Sequence, residues 1–182
     1  MASGRVRREP WSRLGHRLRQ TWGALTARPA TEDLAAARAV LGPRLMALFL
    51  QQPRADQAHS LAVWRRVRAA GGDAVAQQAA LLHDVGKSRA PLRLHHRVLA
   101  VLGRACCPAR ARGAWAQGPP RGWRRAFVVA EHHPAWGARL AREAGAAEAV
   151  VRLIAHHHDP TPAALPPALH RAWALLRAAD EA

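Results

Sequence analysis

Residues 79–87 read Ala79-Ala80-Leu81-Leu82-His83-Asp84-Val85-Gly86-Lys87, an apolar helical run that breaks off into an imidazole, a carboxylate, a glycine and an ammonium. A helix face this apolar sinks into a core and carries the polar groups at its C-terminal end inward with it. Buried ionisable groups are costly unless paired or bound to a metal. His83 and Asp84 therefore need partners, and the chain offers His59, the pair His132 and His133, the triplet His156 to His158, and Asp180.

Upstream of this stretch, Asp56 is expected to cap a helix over about 57–70 that Gly71-Gly72 closes. On it His59, Val63 and Arg66 share one stripe, so His59 can face the interior. The helix bearing the central stretch is expected over about 73–86, with Gly86 ending it where a ligand would have to approach the backbone. Earlier still, Thr31-Glu32-Asp33 marks a helix start and Gly42-Pro43 an interruption, followed by the apolar segment 44–52.

Downstream, 91–102 reads as a helix on which His95 and His96 are taken as surface or packing residues. Residues 103–122 are rich in Gly, Pro and Arg without a steady period, which reads as a long loop with room for one short helix. A helix from about Trp123 leads to His132-His133-Pro134, and proline disfavours helix at the residue before it, so His133 is expected at a helix end or kink. Val150, Leu153, Ile154 and His157 share one helical face, and Leu169, Trp173, Leu176 and Asp180 share another. Imidazoles and carboxylates from five parts of the chain thus fall on, or at the ends of, inward faces. A shared cation supplies the partner all of them lack.

The donor set has no thiolate, which suits one or two ions of Fe, Mn, Zn, Co or Ni better than Ca or Mg. Such a cation acidifies a water it binds, to a pKa of about 7 in the best-known zinc case, and so prepares a nucleophile at neutral pH.

Composition bounds the alternatives. The chain of 182 residues has room for one domain with a core plus a tail, and the division expected is a basic tail over 1–30 and a helical domain over 31–182. No tyrosine and only 2 phenylalanines favour helix over sheet. A net charge of +16 suits polyanionic partners, although a bias toward Arg accounts for it equally well. Lys87 is the one lysine, and its compact charge stands directly behind the His-Asp pair. Adjacent Cys106 and Cys107 make no disulfide or zinc framework, and no stretch has the roughly 18 apolar residues of a membrane span, so a cytoplasmic setting is expected. Within the tail, Trp11, Leu14, Leu18, Trp22 and Leu25 recur at helical spacing and suggest a short basic helix for anionic surfaces or nucleic acid.

His59, then His83-Asp84 in LLHDVGK, then Asp180 in LLRAAD, resemble the H…HD…D signature of HD-domain (HDIG-type) metal-dependent phosphohydrolases, over about residues 44–182. The segments from His132 to Leu140 and from Ile154 to Asp159 resemble the additional histidine motifs of members with a dinuclear centre, among them HD-GYP proteins and small bacterial dinucleoside-tetraphosphate hydrolases. The resemblance implies an all-α bundle of about six or seven helices. It implies that His59, His83, Asp84 and Asp180 hold one metal, that Asp84 bridges to a second held by His133 and His157, and that Lys87 polarises a phosphate oxygen. His132 and His158 are further ligand candidates, and Asp159 stands where the resembling motif has glutamate. No Gly-Tyr-Pro follows, which points away from cyclic dinucleotides.

The function expected is hydrolysis of a phosphoester or phosphoanhydride in a nucleotide-like substrate, with Asp84 and Lys87 catalytic. Arg110, Arg112 and Arg121 of the basic stretch, and Arg124 after it, are candidate phosphate contacts. The alternatives are a non-catalytic metal- or nucleotide-binding sensor and, less directly, a nucleic-acid binder.

Overall fold

The computed structural model describes residues 29–182; the tail helix suggested by Trp11, Leu14, Leu18, Trp22 and Leu25, with its anionic or nucleic-acid contacts, lies outside them. The described residues form eight α-helices: α1 (Thr31–Phe49), α2 (Arg54–Ala69), α3 (Ala74–Leu82), α4 (Leu94–Cys106), α5 (Ala109–Trp115), α6 (Arg125–Glu143), α7 (Glu148–His156) and α8 (His170–Glu181). Short 3-10 turns occupy Val85–Arg89, Gly122–Arg124 and Pro167–Leu169, and no strand occurs among the described residues. The helix beyond the six or seven expected is α5, inside the Arg-rich stretch.

Helix α3 is the axis of the bundle because its short sequence, Ala74 to Leu82, leaves almost no polar face. Ala76, Ala79, Ala80, Leu81 and Leu82 are fully buried, and α1, α2, α7 and α8 pack around them. Asp73 caps its start, its Oδ1 accepting from the Ala76 N–H at 2.8 Å. The α-helix ends at Leu82, four residues short of the expected boundary, and the chain tightens into the 3-10 turn. Gly86 therefore does not end α3. It lets this turn lie against α6, since a Cβ there would stand 2.0 Å from the His133 carbonyl oxygen.

Helix α1 kinks at Gly42, where φ is +68°. A left-handed φ suits glycine, and Pro43 cannot donate to the ladder. The Val40 carbonyl beside the kink accepts from Gln78 Nε2 at 2.9 Å.

Asp56 does not cap α2, which begins at Arg54. It is buried in the first turn and pairs with Arg97 of α4 at 2.8 Å, tying α4 to the main bundle. Arg97→Ala leaves that buried carboxylate unpaired and is expected to cost about 2 kcal/mol, read as a lowered urea midpoint with unchanged slope.

Helix α6 runs unbroken through Pro134, so His133 sits inside a continuous helix and not at its end or kink. The proline forfeits one backbone bond at a cost of about 3 kcal/mol in a lone helix. Here α6 is clamped between α7 and the 3-10 turn, and Pro134 and its flanks His133, Gly137 and Ala138 are buried. Packing overrides the local preference. A smaller apolar cluster of Ala116, Ala126 and Phe127, with Leu99 and Trp115 against it, joins α4, α5 and the start of α6. No helix among the described residues is long and apolar enough to cross a membrane.

Candidate metal centre

His83 and Asp84 lie where α3 gives way to the 3-10 turn, with Asp84 at φ −96° and ψ 0°, a sparsely populated conformation common at active sites. Both are buried, at 0% and 2% exposure. The negative end of the α3 dipole points at the same place and favours a cation there.

Asp84 presents its two oxygens in two directions. Its Oδ2 lies 3.6 Å from His83 Nε2 and 3.8 Å from His59 Nε2, and 2.5 Å from Lys87 Nζ. Its Oδ1 lies 3.3 Å from His133 Nε2. On the Oδ2 side, His59 Nε2 is 2.9 Å and His83 Nε2 3.4 Å from Asp180 Oδ1. On the Oδ1 side, ligand atoms of His133, His157 and His158 lie within 4.8 Å of one another, as do those of His59, His83 and Asp84 on the other. The rings form a continuous series, His83 being 5.2 Å from His157 by centroid and His157 5.2 Å from His133.

Three of these imidazoles are oriented by one device. Nδ1 of His83, His133 and His157 lies 2.8–2.9 Å from the carbonyl of Ala80, Val129 and Ile154 respectively. A carbonyl only accepts, so Nδ1 carries the proton and Nε2 of the neutral ring turns its lone pair to the centre. All three Nε2 atoms are buried without a hydrogen-bond partner among the described residues. An orphaned buried ring nitrogen is costly, and cations held at the centre would satisfy all three.

Electrostatics agrees with that donor set. Burial pushes His133 down, against the pull of Asp84, and pushes His157 well down with help from His83 and His158, so both rings are neutral, as a ligand must be. Burial works against ionising Asp84, but Lys87, His83 and His133 hold it well below the usual carboxylate range. Asp180 is held well below too, since the hydrogen bond to His59 and the nearby His83 outweigh burial.

His83 differs. Burial alone would lower it, but Asp84 and Asp180 together raise it to about 9, so the metal-free centre keeps a proton where a cation would sit. Protonated His83 stabilises the metal-free fold fully below its ordinary 6.5, and this contribution is lost as pH rises through about 9. A cation held there would displace that proton, and its binding would strengthen as pH rises. The gain in melting temperature on adding Mn or Zn to chelator-treated protein is accordingly expected to widen from pH 6.5 to 9; a constant or shrinking gain would contradict the assignment.

Among the sequence candidates, His59, His83, Asp84, His133, His157, Asp180 and Lys87 come together, and His158 joins them from the rim. His132 does not: its Nε2 faces the Ala116 carbonyl at 3.2 Å and its ring stacks on Trp136. Adjacent positions on a helix point about 100° apart, so His132 and His133 cannot both face the centre. His156 turns outward as well, paired with Asp159 at 2.8 Å. Arg121 and Arg124 are not at the centre's mouth, Arg124 lying over the Trp123 ring instead. The cleft of about 440 Å³ that opens there is lined by Arg104, Arg112 and Arg177; of these, only Arg112 carried a sequence signal, through its place in the basic stretch.

The donor set fits one or two divalent ions held by imidazole nitrogen and carboxylate oxygen. A comparison with family models matches the HD domain over residues 57–181, more than half of the chain. Neither the curated proteins nor the solved structures give a match. With the His83-Asp84 pair, His59 and Asp180 all inside the matched span and gathered at one centre, the chain belongs to the HD domain family, whose members are in general metal-dependent hydrolases.

Proposed function

We propose that the protein is a metal-dependent phosphohydrolase that cleaves a phosphoester or phosphoanhydride bond in a nucleotide-like substrate. The observation that carries this reading is Asp84, with one oxygen directed at His59, His83 and Lys87 and the other at His133. That arrangement supports a carboxylate shared between two neighbouring cation positions, the first with His59, His83 and Asp180, the second with His133, His157 and His158.

A cation bound there supplies Lewis acidity and lowers the pKa of a water beside the phosphorus atom. The chain's own groups do the rest. The three carbonyl-anchored rings fix the donor geometry without reorganising. Lys87 brings a compact positive charge to the side of Asp84, suited to a non-bridging phosphate oxygen. Water attacks phosphorus, the bond to the leaving oxygen breaks, and that oxygen gains a proton as the product departs.

The reading takes 31–182 as the domain, because Ala37, Leu41 and Phe49 of α1 share one core with α2, α3, α7 and α8; it leaves 1–30 as a tail. A cytoplasmic setting and a small phosphorylated partner belong to the same reading.

The test is a panel of nucleoside polyphosphates, dinucleoside polyphosphates and phosphodiesters, assayed with chelator-treated protein and with Mn, Fe, Zn, Co or Ni restored. Metal-dependent turnover of at least one substrate is expected. Stoichiometric metal without turnover across the panel would replace this reading by the sensor.

A further inference from the structure

Resting on that reading, we propose that the cleft at the mouth of the centre selects substrates carrying a second phosphate group, held by Arg104, Arg112 and Arg177 while the reacting phosphate lies at the His-Asp cluster. The cleft shares His157, His158 and Asp180 with the cluster. Arg104 of α4, Arg112 of α5 and Arg177 of α8 line it together with Phe127 and Ala130 of α6. Three guanidinium groups from three helices thus converge on one space.

Size argues for more than a single phosphate. A volume of about 440 Å³ falls in the range of sites for whole small molecules, roughly 300–1,000 Å³. Charge argues the same way. The carboxylates lining the cleft besides the centre's Asp180 are Glu131 and Glu181, and Glu181 is engaged by Arg177 Nε at 2.9 Å. The three guanidinium groups outnumber these two glutamates, so the cleft itself is net positive beyond the His-Asp cluster.

The arginines are also unequally prepared. Arg177 is fixed on three sides: Nε to Glu181, a terminal nitrogen to the Asp159 carbonyl at 2.7 Å, and its plane over Trp173 at 5.4 Å. Its remaining terminal nitrogen has no partner among the described residues, so the fork is oriented before substrate arrives. Arg112 is anchored by the Cys107 carbonyl. Arg104 makes no hydrogen bond or ion pair among the described residues and is the arm that can close on an anion. Planar forks match phosphate oxygens bidentately, which a row of scattered surface charges does not.

The test compares two probes that differ by one phosphate, adenosine monophosphate and the α,β-methylene analogue of adenosine diphosphate. Binding to the full metal-loaded chain is measured by calorimetry with metal in excess. The diphosphate analogue is expected to bind at least about tenfold more tightly, and Arg104→Gln with Arg112→Gln to abolish that preference while changing monophosphate affinity less than about twofold. Arg104→Gln alone, which severs no contact of the fold, should remove part of it, and Arg104→Lys restore part. Equal affinity for the two probes, a preference that survives the double variant in folded protein, or no binding of either at millimolar concentration would overturn the proposal. Adenosine released from either probe, followed separately, reports cleavage of its ester, so a failed preference in binding is distinguished from an absence of turnover, which bears on the phosphohydrolase reading alone.

Discussion

Asp84→Asn is expected to abolish metal-dependent turnover and to weaken metal binding by more than about a hundredfold, since losing even an outer-shell partner of a metal ligand costs about 10–100-fold. The size follows from where the two oxygens point. Oδ2 lies 3.6 Å from His83 Nε2 and Oδ1 3.3 Å from His133 Nε2, so a single substitution removes charge from both halves of the centre. An amide keeps the shape but offers one neutral acceptor and a donor, and the donor meets either an imidazole lone pair or the Lys87 ammonium. The far-ultraviolet circular dichroism of metal-free protein should be unchanged, because Asp84 supports no apolar packing. Metal content after dialysis and turnover with each restored ion check both halves of the expectation. Turnover within about tenfold of the parent would show that Asp84 is not at the reacting centre.

Gly86→Ala is expected to destabilise the fold by about 3 kcal/mol or more and to cost the centre its metal, although residue 86 donates nothing to it. A Cβ there would stand 2.0 Å from the His133 carbonyl oxygen and 2.6 Å from the Gly137 nitrogen. Both obstacles are backbone, so relief comes only by moving α6 away from the 3-10 turn. That motion withdraws His133 Nε2 from Asp84. Gly137→Ala is the matched control: its closest contacts are 3.2 Å, to Gly86 nitrogen and to Ile154 Cγ2, so a shift of a few tenths of an ångström relieves both. A loss of about 1 kcal/mol is expected there, with metal retained. Chemical denaturation read with and without metal separates the two, and an alanine tolerated at 86 would mean that the close approach of turn and helix does not set the position of His133.

Much of the centre was legible because its residues obey helical periodicity. His157 continues the stripe of Val150, Leu153 and Ile154, and Asp180 that of Leu169, Trp173 and Leu176; those neighbours pack as a core stripe does, with Val150, Leu153, Ile154 and Leu176 fully buried. His83 and Asp84 were legible from the apolar run that drags them inside. His133 was found for a reason that does not hold, since the helix continues through Pro134 and only tertiary clamping reveals that. His132 was misread because adjacency in sequence says nothing of direction around a helix.

The cleft arginines were the least legible. Helix α5 buries none of its residues, so no stripe marked it, and the Gly, Pro and Arg of 103–122 read as loop. Arg177 faces the cleft only because Asp159, Trp173 and Glu181 hold it there. Such positions depend on contacts between distant segments, and local pattern carries no trace of them.

The most direct measurement of the central claim is equilibrium dialysis of the chelator-treated chain against Mn at pH 8, followed by metal analysis, for the parent and for His83→Gln and His133→Gln. The account predicts about one to two ions per chain, with each variant losing roughly one site or the whole complement. Absence of bound metal in the folded parent, or a complement untouched by both variants, would contradict it.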